Sequence, residues 1–220
     1  MRQLQLPAYF ILLMIGFFLS INSCSYKHYK GFTKVIATEI SLPVIFDPTF
    51  KKANYLTHLE VFGNQLSGIT IIKKVEQTNT FHVVFLSQIG IKYFDLEIAM
   101  DEEAEGFRMN YIMESLNRDF IINALKADFE LLFVKFNNDA QLQMYQHPQK
   151  EIKEIIISDG KNLASYIIDK KDVQSISLKK GSSDHASIII KELNTIYPRK
   201  FEMNNKKARM KMIMNEIILE

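Results

Sequence analysis

The side chains that could do chemistry are dispersed along this 220-residue chain rather than grouped. No two histidines lie within five residues of each other, so the spacing used by two-histidine metal sites is missing. The G-x-S-x-G, Walker A and G-x-G-x-x-G patterns are missing as well. A Ser/His/Asp triad assembled from distant residues stays open, although nothing in the sequence favours one. We therefore expect a protein that is not an enzyme and has neither a metal nor a dissociable cofactor. The histidines are His28, His58, His82, His147 and His185.

Two kinds of charged cluster stand out. The segment Asp101–Glu105 carries four carboxylates, but it lacks the alternating ligands and central glycine of a calcium loop, which favours a solvated turn. Four lysine doublets fall at the ends of predicted strands. They either face anionic lipid headgroups or protect strand ends against edge-to-edge aggregation. The doublets are Lys73-Lys74, Lys170-Lys171, Lys179-Lys180 and Lys206-Lys207.

The lone cysteine, Cys24, follows a short apolar run. Arg2 precedes that run, which extends from Ala8 to Leu19 and is shorter than the roughly 20 residues of a membrane-spanning helix. It suits a signal peptide instead. Ser20-Ile21-Asn22-Ser23-Cys24 resembles a bacterial lipobox, which implies cleavage before Cys24 and attachment of diacylglycerol and an N-acyl chain to it. The alternative is an ordinary thiol after an uncleaved anchor.

Composition and charge limit the partners. Lys and Arg total 27 against 25 Asp and Glu, a net charge of +2 that argues against a nucleic-acid-binding protein. With 47% hydrophobic and 24% charged residues the chain is globular. A single cysteine excludes an internal disulfide framework and a Cys-pair zinc site.

Most of the chain after Leu42–Phe50 alternates apolar and polar residues, the pattern of half-buried strands joined by short turns. In one strand Phe94, Leu96 and Ile98 share a face. In another, Phe107, Met109, Tyr111 and Met113 are in phase. The predicted strands are Tyr55–Phe62, Leu66–Val75, Thr80–Leu86, Ile91–Met100, Phe107–Met113, Leu142–Gln146, Ile152–Ser158, Leu163–Asp169, Val173–Lys180, Ala186–Leu193, Pro198–Met203 and Ala208–Leu219. The predicted turns include Gly63-Asn64-Gln65, Asp159-Gly160 and Asn204-Asn205.

One segment, Asn117–Phe133, breaks the strand pattern. Its apolar residues recur with the 3.6-residue period of a helix, and Asn117 could cap it. About a dozen antiparallel strands should curl rather than stay flat. We therefore expect a mainly β fold, a strongly curved antiparallel sheet or incomplete β-barrel covered by the helix.

Such a sheet encloses a volume that Phe and Met side chains can line. The interior is then either an apolar ligand cavity or a packed core. The candidate cavity residues are Phe81, Phe85, Phe94, Leu96, Phe120 and Leu125.

Three segments, together with the lipobox and the order of elements, resemble the LolA/LolB family of lipoprotein carriers and receptors. These segments are Val61–Gly68, Phe85–Ile98 and Tyr197–Met203. The resemblance implies a half-barrel that holds acyl chains or lipidated proteins, at the periplasmic side of the outer membrane. It divides the chain into a signal peptide (1–23), a lipidated tether with a lead-in segment (24–53) and a half-barrel domain (54–220).

We therefore expect a membrane-anchored lipoprotein of the cell envelope that binds membrane lipids, and lipidated proteins or a soluble carrier, and serves lipoprotein localisation. The alternative is a non-catalytic structural lipoprotein of an envelope assembly with a filled core. Ile89 is unusual because hairpin loops are normally polar. Either it packs under a strand edge, or it contacts membrane or cargo as an apolar probe, which the resemblance implies.

Overall fold

Alternating burial turns most of the chain into strands, as the sequence predicts. In the strand that begins at Lys52, every second residue from Ala53 to Val61 is buried. This is seen in a computed structural model of the chain, which divides into two compact units, Met1–Phe32 and Thr33–Glu220. The fold below is that of the second unit. The structure describes residues 31–36, 40–101, 106–136, 139–160, 162–181 and 183–218. Cys24, the predicted signal peptide and most of the Asp101–Glu105 cluster lie outside these residues.

Thirteen strands and one α-helix are present in the described part of the chain. In chain order they are β1 (Thr33–Val35), β2 (Lys52–Val61), β3 (Asn64–Val75), β4 (Thr80–Ser87), β5 (Lys92–Ala99), β6 (Phe107–Ile112), α1 (Asp119–Leu132), β7 (Gln141–Gln146), β8 (Ile152–Ser158), β9 (Asn162–Asp169), β10 (Asp172–Lys180), β11 (Ser183–Leu193), β12 (Pro198–Asn205) and β13 (Met210–Glu216).

All thirteen strands belong to one antiparallel sheet in the order β1-β7-β8-β9-β10-β11-β12-β13-β2-β3-β4-β5-β6. Two meanders, β2–β6 and β7–β13, are joined side by side where β13 pairs with β2. Antiparallel order puts alternate turns at the same end. The β2–β3, β4–β5, β8–β9, β10–β11 and β12–β13 turns form one end, the near rim. The β3–β4, β7–β8, β9–β10 and β11–β12 turns form the far rim.

The sheet is curved and does not close into a barrel, which confirms the predicted fold class. The curvature is evident from the contacts of α1 with two strands that are far apart in the sheet. The Phe129 ring lies 6.4 Å from that of Phe94 on β5, and the Leu131 carbonyl accepts a 2.9 Å hydrogen bond from Tyr166 Oη on β9. Eight strand spacings separate β5 from β9, roughly 38 Å if the sheet were flat, whereas a helix is only about 10 Å wide. The sheet must therefore wrap around α1.

One prediction about the helix and one about a strand are wrong. The helix begins at Asp119 with Arg118 as its N-cap residue, because Asn117 instead ends a 3-10 turn and bonds to Glu114. In β6, Tyr111 leaves the face shared by Phe107 and Met109. A bulge lies between the pairs Asp95–Tyr111 and Leu96–Met109, so the Tyr111 side chain is exposed.

The turns were predicted less well than the strands. The β2–β3 turn is Phe62-Gly63, both with positive φ, as a two-residue hairpin turn of type I′ requires. Asn205 belongs to β12 and is fully buried, so the next turn comes after it. The Asp159-Gly160 hairpin is confirmed, with Gly160 at φ 85°.

Candidate binding groove beside the helix

A half-open cavity of about 530 Å³ lies at the near rim, between one flank of α1 and the sheet. The helix provides one wall, and the β10–β11 hairpin and the β12–β13 turn provide the other. We call this cavity the groove. Its lining is mostly polar, so it differs from the apolar cavity that the sequence led us to consider. It is lined by Asp119, Phe120, Asn123, Ala124, Lys126, Ala127, Glu130, Lys180, His185, Asn205 and Lys207.

Asn205 anchors the helix to the sheet at the base of the groove. Its Nδ2 donates to Asp128 Oδ1 at 2.9 Å, and its Oδ1 accepts from the Ala208 amide at 3.2 Å. Both side chains of the pair are essentially inaccessible to solvent. Because the two hydrogen bonds fix the orientation of the Asn205 amide, they also fix the position of α1 against the β12–β13 turn.

Asp128 is a buried acid with little compensation. Burial raises the pKa of Asp128 to about 7, although the hydrogen bond from Asn205 acts to lower it. Within the described part of the chain, Asp128 Oδ2 has no hydrogen-bond partner. A carboxyl group in this position favours its neutral form, since burial disfavours the charged one.

The lysine doublets of the near rim are divided between two tasks. Lys179 and Lys206 approach Asp184, at 3.8 and 3.0 Å. The other member of each doublet, Lys180 and Lys207, lines the groove. The remaining doublets, Lys73-Lys74 and Lys170-Lys171, lie toward the far rim. The doublets therefore do not define a single cationic face.

His185 lines the groove together with Lys180 and Lys207. Burial, followed by the charges of Lys180 and Lys207, lowers the pKa of His185, so its imidazole is neutral at pH 7. The groove also contains an ion pair, Lys126 with Glu130 at 3.8 Å. Burial raises the pKa of Glu130, and nearby lysines oppose that rise.

Five of the six residues considered as cavity lining are buried, and four of them are Phe81, Phe85, Phe94 and Leu96 on β4 and β5. The rings of the three phenylalanines pack on other aromatic rings. Phe81 stacks on Phe133 with centroids 4.0 Å apart, and Phe85 lies 5.5 Å from Phe94. Leu125 is buried on the helix.

Phe120 is the exception, because it is 38% exposed and lines the polar groove. Its ring packs against Phe62 of the β2–β3 turn at 4.9 Å. A helical wheel places Phe120 at the margin of the apolar stripe, where the sequence alone does not separate buried from exposed.

Ile89 lies in the β4–β5 turn and is 84% exposed. The turn is closed by the Gly90 amide, which donates to the Ser87 carbonyl at 3.0 Å, and Gly90 has φ 83°. The neighbouring Ile91 is also exposed. The side chain of Ile89 is therefore at a loop tip on the near rim and is not packed beneath a strand.

Polar pairs elsewhere do not assemble into a triad among the described residues. His58 Nδ1 lies 3.0 Å from Ser67 Oγ. His82 Nε2 lies 2.7 Å from Asp95 Oδ1, whose carboxylate also accepts from Lys92. Ser67 and the partner of His82 on β3, Lys73, are six residues apart, roughly 20 Å along the strand. Each pair thus lacks the third member.

No group of three or more His, Cys, Asp or Glu side chains among the described residues is arranged to hold a metal ion. Nor does any helix in that part of the chain combine the length and apolarity needed to span a membrane.

The groove combines residues that sequence reasoning treated separately. The sequence pattern places the lysine doublets at strand ends and predicts that Asn205 lies in a turn. Asp128 was a usable signal, since it falls on the apolar stripe of the predicted helix between Leu125 and Phe129. A carboxylate on a buried stripe indicates a special environment.

Comparisons with known proteins show a structural similarity that is distant. No family model matches the chain, and no curated protein does. The crystal structure of a DUF1329 family protein from Desulfovibrio piger is similar to the chain with a TM-score of 0.39 and 11% sequence identity. The match covers 77% of this chain and 85% of that one.

Proposed function

We propose that this protein is a non-catalytic lipoprotein, anchored through Cys24, that binds acyl chains or lipidated proteins at its half-barrel and serves lipoprotein localisation to the outer membrane. The observation that carries the proposal is the architecture of the sheet. Among the described residues, one helix, α1, covers the apolar inner face of the sheet. The sequence resemblance to LolA and LolB supports the same function.

Acyl binding would draw its free energy from desolvating the chain, at about 0.8 kcal/mol per buried CH₂. The groove itself is too polar to hold a long acyl chain, so the acyl chain would lie on the apolar surface that α1 covers. Binding then requires α1 to move away from β4 and β5, which breaks the contacts between them. These are the contacts of Phe129 with Phe94 and of Phe133 with Phe81.

The ring stacking supports a second candidate, a structural lipoprotein with a filled core. Phe46, Phe50, Phe81, Phe129 and Phe133 pack ring against ring over distances of 4.0 to 6.2 Å. Interiors packed in this way resist the loss of contacts that a ligand would cause. Such a protein would act through its surface as a subunit of an envelope assembly.

Native mass spectrometry of the full chain, extracted in mild detergent, separates the two candidates. The lipid-binding proposal predicts a co-purified lipid in addition to the covalent anchor. It also predicts saturable binding of a fluorescent fatty acid that palmitate displaces. If neither lipid adduct nor displaceable binding is found, the half-barrel does not hold acyl chains and the filled-core candidate stands.

We further propose that Ile89 contacts membrane or cargo. Full burial of an isoleucine is worth about 1.5–3 kcal/mol, a tenfold effect or more on a transient encounter. The test attaches an environment-sensitive fluorophore to Ile89→Cys in the lipidated protein, whose only native cysteine is then blocked. Adding liposomes should shift the emission to the blue.

The matched control is Ile196→Cys, because Ile196 is an exposed isoleucine in a turn of the far rim. It should show no shift. Equal shifts at both positions, or none at position 89, would mean that Ile89 is not a specific contact.

A further inference from the structure

Two cations of the groove form no close ion pair with a described residue. Neither Lys180 nor Lys207 has a carboxylate within 4.0 Å among the residues that the structure describes. The adjacent Lys179 and Lys206 are the members of the two doublets that approach Asp184. Asp184 thus pairs with the two lysines that do not line the groove. The other two, Lys180 and Lys207, face the groove.

The other groups of the groove offset this positive charge only in part. Glu130 is paired with Lys126 and is also acted on by the charge of Lys180, and Asp119 is exposed in the first turn of the helix. Asp128 lies beneath the lining and is hydrogen-bonded to Asn205. His185 stands close enough to both lysines for their charges to act on its ring.

The shape of the groove strengthens an electrostatic interaction within it. Ala124, Ala127 and Phe120 provide apolar wall, and Asn205 provides a buried amide at the base. Charges in a cleft with low-dielectric walls interact more strongly than charges on an open surface. A volume of about 530 Å³ lies within the range of small-molecule sites.

We propose that the groove binds the anionic group of a small ligand, a phosphate or a carboxylate, held between Lys180 and Lys207. The anion comes either from a free small molecule or from the headgroup of an amphiphile whose apolar part meets Phe120 and Phe62 at the mouth. This site does not depend on acyl binding beneath the helix, because the groove is already open with α1 in place.

The test measures binding by calorimetry to the full chain, held in nanodiscs of phosphatidylcholine. The ligands are inorganic phosphate, hexyl phosphate and hexanol. Phosphate and hexyl phosphate should bind saturably, whereas hexanol should not. Equal affinity for the two phosphates identifies a free anion as the ligand, and tighter binding of hexyl phosphate identifies an amphiphile.

The decisive variant is Lys180→Gln with Lys207→Gln, which should weaken phosphate binding at least tenfold. Its matched control is Lys170→Gln with Lys171→Gln, the same charge change at an exposed doublet of the far rim. The control should stay within twofold of wild type. Circular dichroism checks that both fold, and the single variant Lys207→Gln, in an exposed turn, gives a second measurement.

Two results would overturn the proposal. One is equal weakening by the two double variants, which would indicate non-specific attraction to a cationic surface. The other is the absence of saturable phosphate binding to the wild-type chain. Neither result bears on lipid co-purification, so the test of the proposed function stands apart from this one.

Discussion

The buried carboxyl of Asp128 should make the stability of this protein depend on pH in an unusual direction. Its pKa is about 7 in the folded chain against an ordinary value of 3.8. That difference corresponds to about 4 kcal/mol of unfolding free energy. Between these two values the folded protein keeps the proton that the unfolded chain loses. The stabilisation is therefore complete below about pH 4 and is lost as the pH rises through about 7.

Asp128→Asn isolates this contribution. The variant keeps an acceptor for Asn205 and removes the titration. From pH 5 to pH 8 the unfolding free energy of the variant should rise by about 3 kcal/mol relative to wild type. Urea denaturation followed by far-UV circular dichroism measures it, since the chain has no tryptophan.

The matched control is Asp119→Asn, an exposed carboxylate on the same helix. The difference in unfolding free energy between Asp119→Asn and wild type should change by less than about 0.5 kcal/mol over the same pH range. If the difference between Asp128→Asn and wild type is constant from pH 5 to pH 8, the carboxyl at position 128 is not buried against Asn205 as described.

Three further predictions concern other parts of the chain. Gly68→Ala should destabilise by about 1–3 kcal/mol in urea denaturation, because its Cβ would lie 1.9 Å from the Leu86 carbonyl oxygen; Gly106→Ala, whose Cβ has 3.8 Å of clearance, should not. Burial acts to raise the pKa of Asp95, but the hydrogen bonds to its carboxylate lower the pKa by more, so the net shift is downward. The stability advantage of wild type over Asp95→Asn should therefore be present at pH 7 and disappear as the pH falls below about 4, the opposite sign to Asp128. Cys24→Ala should abolish incorporation of labelled palmitate, and full incorporation would refute the lipid anchor.

The sequence was informative wherever one face of an element is buried. Alternation is clearest in β2, where every second residue is buried, and in β5, where Phe94, Leu96 and Ile98 are all fully buried. The sequence pattern does not predict the short strand β1. It pairs with β7 through only three residues, Thr33 to Val35, too few for a period to be visible.

Turn geometry and the groove depend on information that a local pattern lacks. Phe62 adopts positive φ because the register of β2 and β3 demands a two-residue turn, although a phenylalanine gives no sign of it. The groove brings together α1, the β10–β11 hairpin and the β12–β13 turn, which are distant in the chain. Asn205 meets Asp128 across 77 positions, so neither residue predicts the other.

The pairing of β13 with β2 sets the order in which the sheet can fold. Within β2–β6 and within β7–β13 every pair joins strands that are consecutive in the chain, so each meander can form hairpin by hairpin. The pair between the two meanders closes a far longer loop and must form late. Until then β2 and β13 are unpaired edges in addition to the outer edges β1 and β6, and β2 and β13 are complementary. Two unfinished molecules can therefore exchange halves, and a domain-swapped dimer is the expected misfolding product of this topology.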